Sequence, residues 1–419
     1  MQLPLEGSIF KQLGTLADNM NLEAYIIGGY VRDLVMGRPS KDIDVVVKGS
    51  GIEFAKAFSE SMPGSKFNYF GNFGTAQVIC DEFEIEFVGA RKESYERQSR
   101  KPVVEEGSLE EDRNRRDLTI NAMGISLNKE TYGLLNDPFN GLEDIENRMI
   151  RTPLEPDKTF SDDPLRMMRA IRFASQLGFD ISEETFDGIK RNANRISIIS
   201  MERISDELNK IILSPVPSIG FNYLNDTGLM EIIFPELFAM HGVETINGKS
   251  HKDNFYHTLQ VLDNISLFSK NLWLRWSAIL HDIAKPATKK FYAEEGWTFH
   301  GHEDKGSRMV KPIFSRLRLP LGDNMKYVQK LVLLHLRPIV LSQEIVTDSA
   351  VRRLIVDAGE DITDLIILCR SDITSKNERK VEKFLRNLDQ VEIKIREVTE
   401  KDRLRNWQPP ITGEHILQA

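Results

Sequence analysis

Every run of strand-like sequence in this 419-residue chain falls within its first 130 or so residues. The runs AYIIGG, DIDVVV, TAQVIC and FEIEFV alternate there with turn signals at Pro39-Ser40, Gly49-Ser50-Gly51 and Asp81-Glu82, the pattern of short strands bounded by turn residues. From about Pro153 onward the strand signals fade, and DPLRMMRAIRFASQL and MERISDELNKIIL place apolar residues at helical spacing, with Gly178, Pro215 and Pro217 as stops. Any sizeable sheet therefore belongs to the first domain, and the remainder has to bury its apolar faces by packing helices. The expectation is an α+β chain, a mixed-sheet domain followed by an almost wholly helical remainder. The turn-rich NDPFNGLEDI closes the first domain near Arg151.

Composition narrows the class. With 41% hydrophobic and 28% charged residues and a net charge of −8, the chain has the balance of a folded multidomain protein, not of a disordered one. Its two cysteines, Cys80 and Cys369, stand far apart, which excludes a disulfide framework and a cysteine-built zinc site and fits a reducing compartment. The opening MQLPLEGSIF carries an acid and lacks the basic and apolar regions of a leader, and no window supplies the ~18 uninterrupted apolar residues of a membrane span. A cytoplasmic protein with no membrane attachment is expected. The acidic total speaks against indiscriminate coating of nucleic acid but leaves room for a local basic groove.

The segment YIIGGYVRDLVMGRPSKDIDVVV reads as strand, glycine turn, short helix, loop and strand. Gly28 and Gly29 fall where the strand turns into the helix, where the absence of Cβ lets backbone N–H groups approach a phosphate, and Arg32 follows within the first helical turn. A tight turn alone would use the same glycines. Asp42 and Asp44 are two apart, so a strand points both to one face while Ile43 and Val45 take the other. Paired carboxylates repel unless cations neutralise them, and oxygen ligands of this kind suit Mg²⁺ bound with substrate phosphates. FEIEFV repeats the pattern with Glu84 and Glu86. If the two strands are neighbours, three or four carboxylates meet, as a two-metal phosphoryl transfer requires. The competing reading is a solvated polar strand face.

IIGGYVRDLVMG, KDIDVVV, RRDLTINAM, DPFNGLEDI, DDPLRMMRAIRFASQLGF and ISMERISDEL resemble, in order and spacing, the motifs of bacterial class II tRNA nucleotidyltransferases, the CCA-adding enzymes and their poly(A) polymerase relatives. The resemblance spans roughly residues 20 to 230. It implies a polymerase-β-like nucleotidyltransferase head at 1–150, a helical neck and body at 151–240, a further domain at 241–375 and a helical tail at 376–419. It makes Asp42 and Asp44 the Mg²⁺ ligands and catalytic carboxylates with Glu86, preferred over Glu84 because it precedes FVGAR at the family's spacing. Gly28, Gly29 and Arg32 become the triphosphate site, and Arg116, Asp117 and Asn121 the ribose reader.

The family selects its base with Glu-Asp-x-x-Arg, and this chain has Asp162, Asp163 and Arg166. Asp163 and Arg166, three apart, are expected on one helix face, where a carboxylate and a guanidinium can bond the amino donor and ring-nitrogen acceptor that cytosine and adenine share. An N-cap with an i,i+3 ion pair is the plain alternative. Asp162 replaces the family's Glu and keeps its charge. Arg169 and Arg172 follow on the helix, for nucleotide or RNA phosphate or as surface charges. The polar segment RKESYERQSRKPVVEEGSLEED matches a loop that the family needs for the terminal A, which favours full CCA addition over CC addition.

His257, the pair His281-Asp282, and Asp372 fall in order on helix-like segments and resemble the metal ligands of HD-type phosphohydrolases, with His302 and His335 where related domains place extra ligands. Such a site would hold a divalent ion, identity open, and activate water on a phosphate ester. The expected activity is addition of CCA to tRNA from CTP and ATP, with no obligatory protein partner. A poly(A) polymerase, a CC- or A-only enzyme, and an HD phosphohydrolase with an RNA-binding head are the rivals. The terminal PPITGEHILQA looks like the start of a longer tail motif.

Overall fold

The computed structural model describes residues 1–71, 74–80, 83–94, 103–342, 347–375 and 377–405. Two compact units result, one from Met1–Ile211 with Asn222–Ile233, the other from Ile212–Phe221 with the chain from Phe234 onward.

The first unit is organised by a sheet. Its strands are β1 (Ala24–Ile27), β2 (Asp42–Val47), β3 (Lys66–Phe70), β4 (Thr75–Cys80) and β5 (Phe83–Gly89); β6 (Arg91–Ser94) and β7 (Val103–Glu106) form a separate hairpin, and β8 (Gly124–Ser126) and β9 (Leu135–Asn136) return to the sheet. The order is β3-β4-β5-β2-β1-β8-β9. The β2–β5 pair is parallel and its other neighbours antiparallel, so the sheet is mixed as expected. Alternation along β2 and β5 sends Ile43, Val45, Val47, Ile85 and Phe87 into one core. Two helices, Ser8–Asn19 and Gly51–Ser61, bring Leu13, Ala17, Phe54 and Phe58 to that same core. Phe87 meets Phe54 and Phe58 with ring centroids 5.8 and 5.7 Å apart, and truncating a buried phenylalanine costs about 3–5 kcal/mol. Because one face is used up by this core, the acidic members of β2 and β5 are left on the other.

Helices Pro156–Asp162, Leu165–Leu177, Glu183–Asn192 and Met201–Ile212 complete the unit. A two-residue parallel pairing of Met149–Ile150 with Asp180–Ile181 ties the far end of Leu165–Leu177 back to the head.

The second unit packs helices Asn254–Ser266, Leu272–Leu280, His302–Arg316, Asp323–Leu334 and Ile362–Asp372 around buried aromatics, with Trp276 6.0 Å from Phe234 and 5.9 Å from Phe314. Helix Glu378–Arg405 buries Leu388, Val391, Ile395 and Val398 along one stripe, the i, i+3, i+7 spacing of an amphipathic helix. Two hairpins interrupt the expected run of helices, Thr245–Ile246 with Lys249–Ser250 and Lys290–Tyr292 with Gly296–Thr298. Asn247 and Gly248 turn the first at φ 51° and 74°, the two left-handed positions of a type I′ turn. Strands of two or three residues are too short to display a period of two, so only the Asn-Gly pair signalled them.

Candidate active sites

Strand β1 ends at Ile27, directly opposite Asp44 of β2. The chain turns at Gly28 with φ +73°, and a Cβ there would lie 3.0 Å from Asp44 Oδ2 and 3.6 Å from Arg116 Nη1. Glycine is needed for both the turn and the space. On the other side of β2, the parallel register sets Asp42 beside Glu84 and Asp44 beside Glu86, so all four carboxylates share one face. Burial, followed by the neighbouring Asp42, pushes the Asp44 carboxyl up against the opposing pull of Arg116. Glu86 is raised by burial and then by Asp44, with Arg91 opposing. Carboxylates in register that hold their charge reluctantly are suited to a hard divalent ion with oxygen ligands.

The carboxylates form one wall of a cavity of about 790 Å³ that also takes in Gly28, Gly29, Arg32, Asn121, Arg169 and Arg172. Helix Leu109–Asn114 sits just ahead of Arg115 and Arg116, and Asp112, 1% exposed, holds both guanidiniums, at 2.5 and 3.2 Å. Against the cost of burial, the two arginines keep Asp112 below the ordinary carboxylate range. Arg32 Nη1 donates to Asn121 Oδ1 at 2.9 Å, and Arg169 Nε donates to Asp117 Oδ2 at 2.6 Å. Burial alone would raise Asp117, yet Arg169 and then Arg166 bring it below its usual value. The nucleotide-binding residues named from sequence in the head thus fall around one space.

A second cavity, about 400 Å³, is lined by Asp163, Arg166, Arg203 and Asp206 and shares Arg116, Asp117, Arg169 and Lys210 with the first. Here the helical reading needs correction. Asp163 is extended, φ −137° and ψ 103°, in the break between helices Pro156–Asp162 and Leu165–Leu177, so it does not share a helix face with Arg166. Pro164 disfavours the α region for the residue before it. Asp163 Oδ1 accepts from the Leu165 N–H at 3.0 Å, and Oδ2 lies 3.8 Å from Arg203. Both Asp163 and Arg166 still reach the cavity. Sequence reading missed Lys210, Arg203 and Glu207 from Met201–Ile212, and Phe173 and Gln176, which line these spaces. Their signal was present only as the i,i+3 pair Glu207–Lys210, 3.1 Å apart.

In the second unit, His257, His281, Asp282 and Asp372 converge, joined by His302 and His335. His257 Nε2 and His281 Nε2 lie 2.9 and 3.4 Å from Asp372 Oδ1. Asp282 faces His281 and His302 at 3.2 Å each and His335 at 3.9 Å. Two trios emerge whose donor atoms lie within 4.8 Å of one another, His257-His281-Asp372 and Asp282-His302-His335. The Nδ1 atoms of His281, His302 and His335 are each 2.7 Å from the carbonyl three residues earlier, those of Ala278, Phe299 and Val332, and His257 Nδ1 is 2.9 Å from Thr374 Oγ1. Every ring is thereby oriented with Nε2 inward. The buried Nε2 atoms of His281, His302 and His335 and Oδ2 of Asp282 make no well-directed hydrogen bond, a donor set that fits a divalent cation. Burial works against charge on His281, but Asp282 and Asp372 raise it to about 10, and burial with His281 nearby lowers His335 to about 4. The imidazolium, and for Asp282 also Lys285, holds Asp282 and Asp372 far below the carboxylate range despite burial. The outer trio opens through His257 and Asp372 on a cavity of about 630 Å³ that includes Lys285, Trp297 and Phe299.

The chain matches the poly A polymerase head domain over residues 24–151, the probable RNA and SrmB-binding site of polymerase A over 178–240, and the HD domain over 254–377. It is 33% identical over 307 residues to the multifunctional CCA protein of Shewanella frigidimarina, covering 71% of this chain and 70% of that one. It is 45% identical over 173 residues to the A-adding tRNA nucleotidyltransferase of Aquifex aeolicus, covering 41% of this chain and 21% of that one. A solved tRNA nucleotidyltransferase with a primer tRNA and an incoming ATP analogue shares the fold at TM-score 0.64 and 24% identity, over 91% of this chain and 98% of that one. The CCA-adding enzyme of Thermotoga maritima complexed with tRNA does so at TM-score 0.64 and 22% identity, over 98% and 86%. The chain belongs to the bacterial CCA-adding tRNA nucleotidyltransferases that carry an HD domain.

Proposed function

We propose that the first unit adds CCA to the 3′ end of tRNA from CTP and ATP, and that the second hydrolyses phosphate esters at an HD centre. The observation that carries the first reading is the row of Asp42, Asp44, Glu84 and Glu86 facing one cavity with Gly28, Gly29 and a wall of guanidiniums. Asp42, Asp44 and Glu86 would hold Mg²⁺, which when bound helps ionise the attacking hydroxyl and neutralises the leaving pyrophosphate. Arg32, Arg172 and Lys210 give the opposite wall the positive charge that a triphosphate needs. Asp117 and Asn121, already held by Arg169 and Arg32, are fixed in place to meet the ribose hydroxyls. Asp163 accepts from the exocyclic amino group and Arg166 donates to the ring nitrogen, an order that cytosine and adenine satisfy and uracil and guanine reverse. Relatives named for CCA and tRNA support tRNA as the partner.

The 45% identity to an A-adding enzyme supports a second reading, in which only the terminal A is added. The loop that sequence reading ties to A addition falls partly at 95–102, and the proposed tail motif at 409–419, both outside the described residues. One experiment decides. The full chain is given Mg²⁺, CTP, ATP and a tRNA transcript lacking its 3′ end, and the extended termini are sequenced. Extension that stops at CCA is expected; extension only of transcripts already ending in CC identifies the A-adding reading, a run of A a poly(A) polymerase, and no extension sinks the proposal.

For the HD centre, imidazole with carboxylate suits a first-row transition ion better than Mg²⁺. His257, His281 and Asp372 would hold one ion, and Asp282, His302 and His335 a second. We place the protein in the cytoplasm, in keeping with two buried cysteines far apart in the chain.

A further inference from the structure

Phe173 lies in helix Leu165–Leu177, is 8% exposed and lines the larger cavity. Three guanidinium carbons surround its ring, those of Arg172 at 4.1 Å, Arg32 at 5.0 Å and Arg169 at 5.7 Å from the centroid. Arg32 comes from helix Gly29–Val35, next to the glycine turn, and the other two from the ring's own helix. Each arginine has a different acidic anchor, Asp33 at 2.9 Å for Arg32, Asp117 at 2.6 Å for Arg169 and Glu207 at 2.9 Å for Arg172. The anchors pull on three separate residues. What the guanidiniums have in common is the ring, whose negative face attracts cations that otherwise repel one another. Burial and the charges of Arg169 and Arg32 bear on Arg172 in the same direction, and only Glu207 and Asp117 oppose them.

We propose that Phe173 is a positioning residue for the nucleotide, its ring gathering Arg32, Arg169 and Arg172 into one wall that meets the triphosphate as a preformed unit. The proposal rests on the reading that this cavity takes a nucleoside triphosphate. It separates the ring's electrostatic role from packing, because leucine keeps an apolar side chain in place while removing the quadrupole, and tyrosine keeps the ring.

The test compares Phe173→Leu and Phe173→Tyr in the full chain, with Phe173→Met replacing the leucine variant if that fails to fold by circular dichroism. A cation–π contribution of this kind predicts that the leucine variant raises KM for CTP and ATP together by about tenfold, with kcat within about threefold, and that tyrosine restores KM to within about twofold. Inorganic pyrophosphate, titrated calorimetrically, should bind more weakly to the leucine variant by a similar factor. Unchanged KM in the leucine variant, a loss confined to kcat, or equal impairment by leucine and tyrosine each overturn the proposal. A wild-type chain that adds no nucleotide but binds pyrophosphate more tightly than the leucine variant keeps this inference and removes the parent reading. Wild-type addition with KM indifferent to the ring does the reverse.

Discussion

In the first unit four carboxylates stand side by side on an open sheet face, whereas in the second two carboxylates are buried among four imidazoles and a lysine. The same side chain is pushed in opposite directions by these settings. Asp44 and Glu86 are raised by burial and then by a neighbouring carboxylate, Asp42 for the first and Asp44 for the second, while Asp282 and Asp372 are held far down by an imidazolium. In the first centre the carboxylates crowd one wall and the arginines with Lys210 line the rest of the cavity, and carboxylate oxygens of this kind suit ions that travel with a triphosphate. The second is nitrogen-rich, a donor set that suits a first-row transition ion, and an ion bound there would displace the His281 proton.

The comparison breaks most decisively if the centres are not independent. Asp42→Ala with Asp44→Ala should lower nucleotide addition by a factor of about 10³ or more, while ion content of the second unit, read by mass spectrometry of the metal, stays at its wild-type value. Conversely, His281→Ala should remove phosphoester hydrolysis and reduce bound ion, and His302→Ala should take two ions per chain to one, with nucleotide addition within about twofold of wild type in both. Loss of both activities from either change would contradict the division. Next in size, Asp163→Asn should cut the preference for CTP over UTP by about 10- to 100-fold, since an amide can donate where the carboxylate only accepts; an unchanged ratio would remove Asp163 from base reading.

The smallest effect concerns pH. Asp117 is buried, which raises it, but Arg169 outweighs this and sets its folded pKa below the ordinary value. A depressed carboxylate contributes stability that is fully present above the unfolded value of about 3.9 and is lost as pH falls through the folded one. Asp117→Asn should therefore flatten the acid limb of the first unit's unfolding below about pH 4 and lower its melting temperature by a few degrees at neutral pH. A wild-type acid limb in the variant would show that titration of Asp117 does not contribute to acid unfolding.

What could be read from the residues alone was local. Asp42 and Asp44 announce their shared face because a strand's period is fixed, and His281-Asp282 stands out as an adjacent pair. The step that joins Asp44 to Glu86 is a parallel pairing between segments some 40 residues apart, which no local pattern encodes; it was posed as a condition and the register supplies it. Pro164 is a visible warning against helical continuity between Asp163 and Arg166, but a weak one, since helix His302–Arg316 runs through Pro312. Phe173 looks like any apolar member of an amphipathic helix until Arg32 arrives from the head. His302 and His335 were placed only as extra ligands, since their joining Asp282 depends on how three helices pack.

Gly28 carries a consequence for how failure of this protein would look. A side chain there faces a left-handed φ and a contact at 3.0 Å with Asp44 Oδ2. At φ 73° and ψ −137° the turn lies outside the left-handed helical region, in a part of the map that glycine has nearly to itself, so the strain costs about 1–3 kcal/mol of the ~5–15 kcal/mol that holds a typical domain together. The displaced carboxylate, however, is one of the proposed ion ligands. A single alanine at this turn would leave a protein that folds and keeps its second centre, with a first unit that melts a few degrees lower, yet is silent at the first centre. Surveys that score variants by abundance would register only that partial loss, and a turnover assay is needed to register the defect at the first centre.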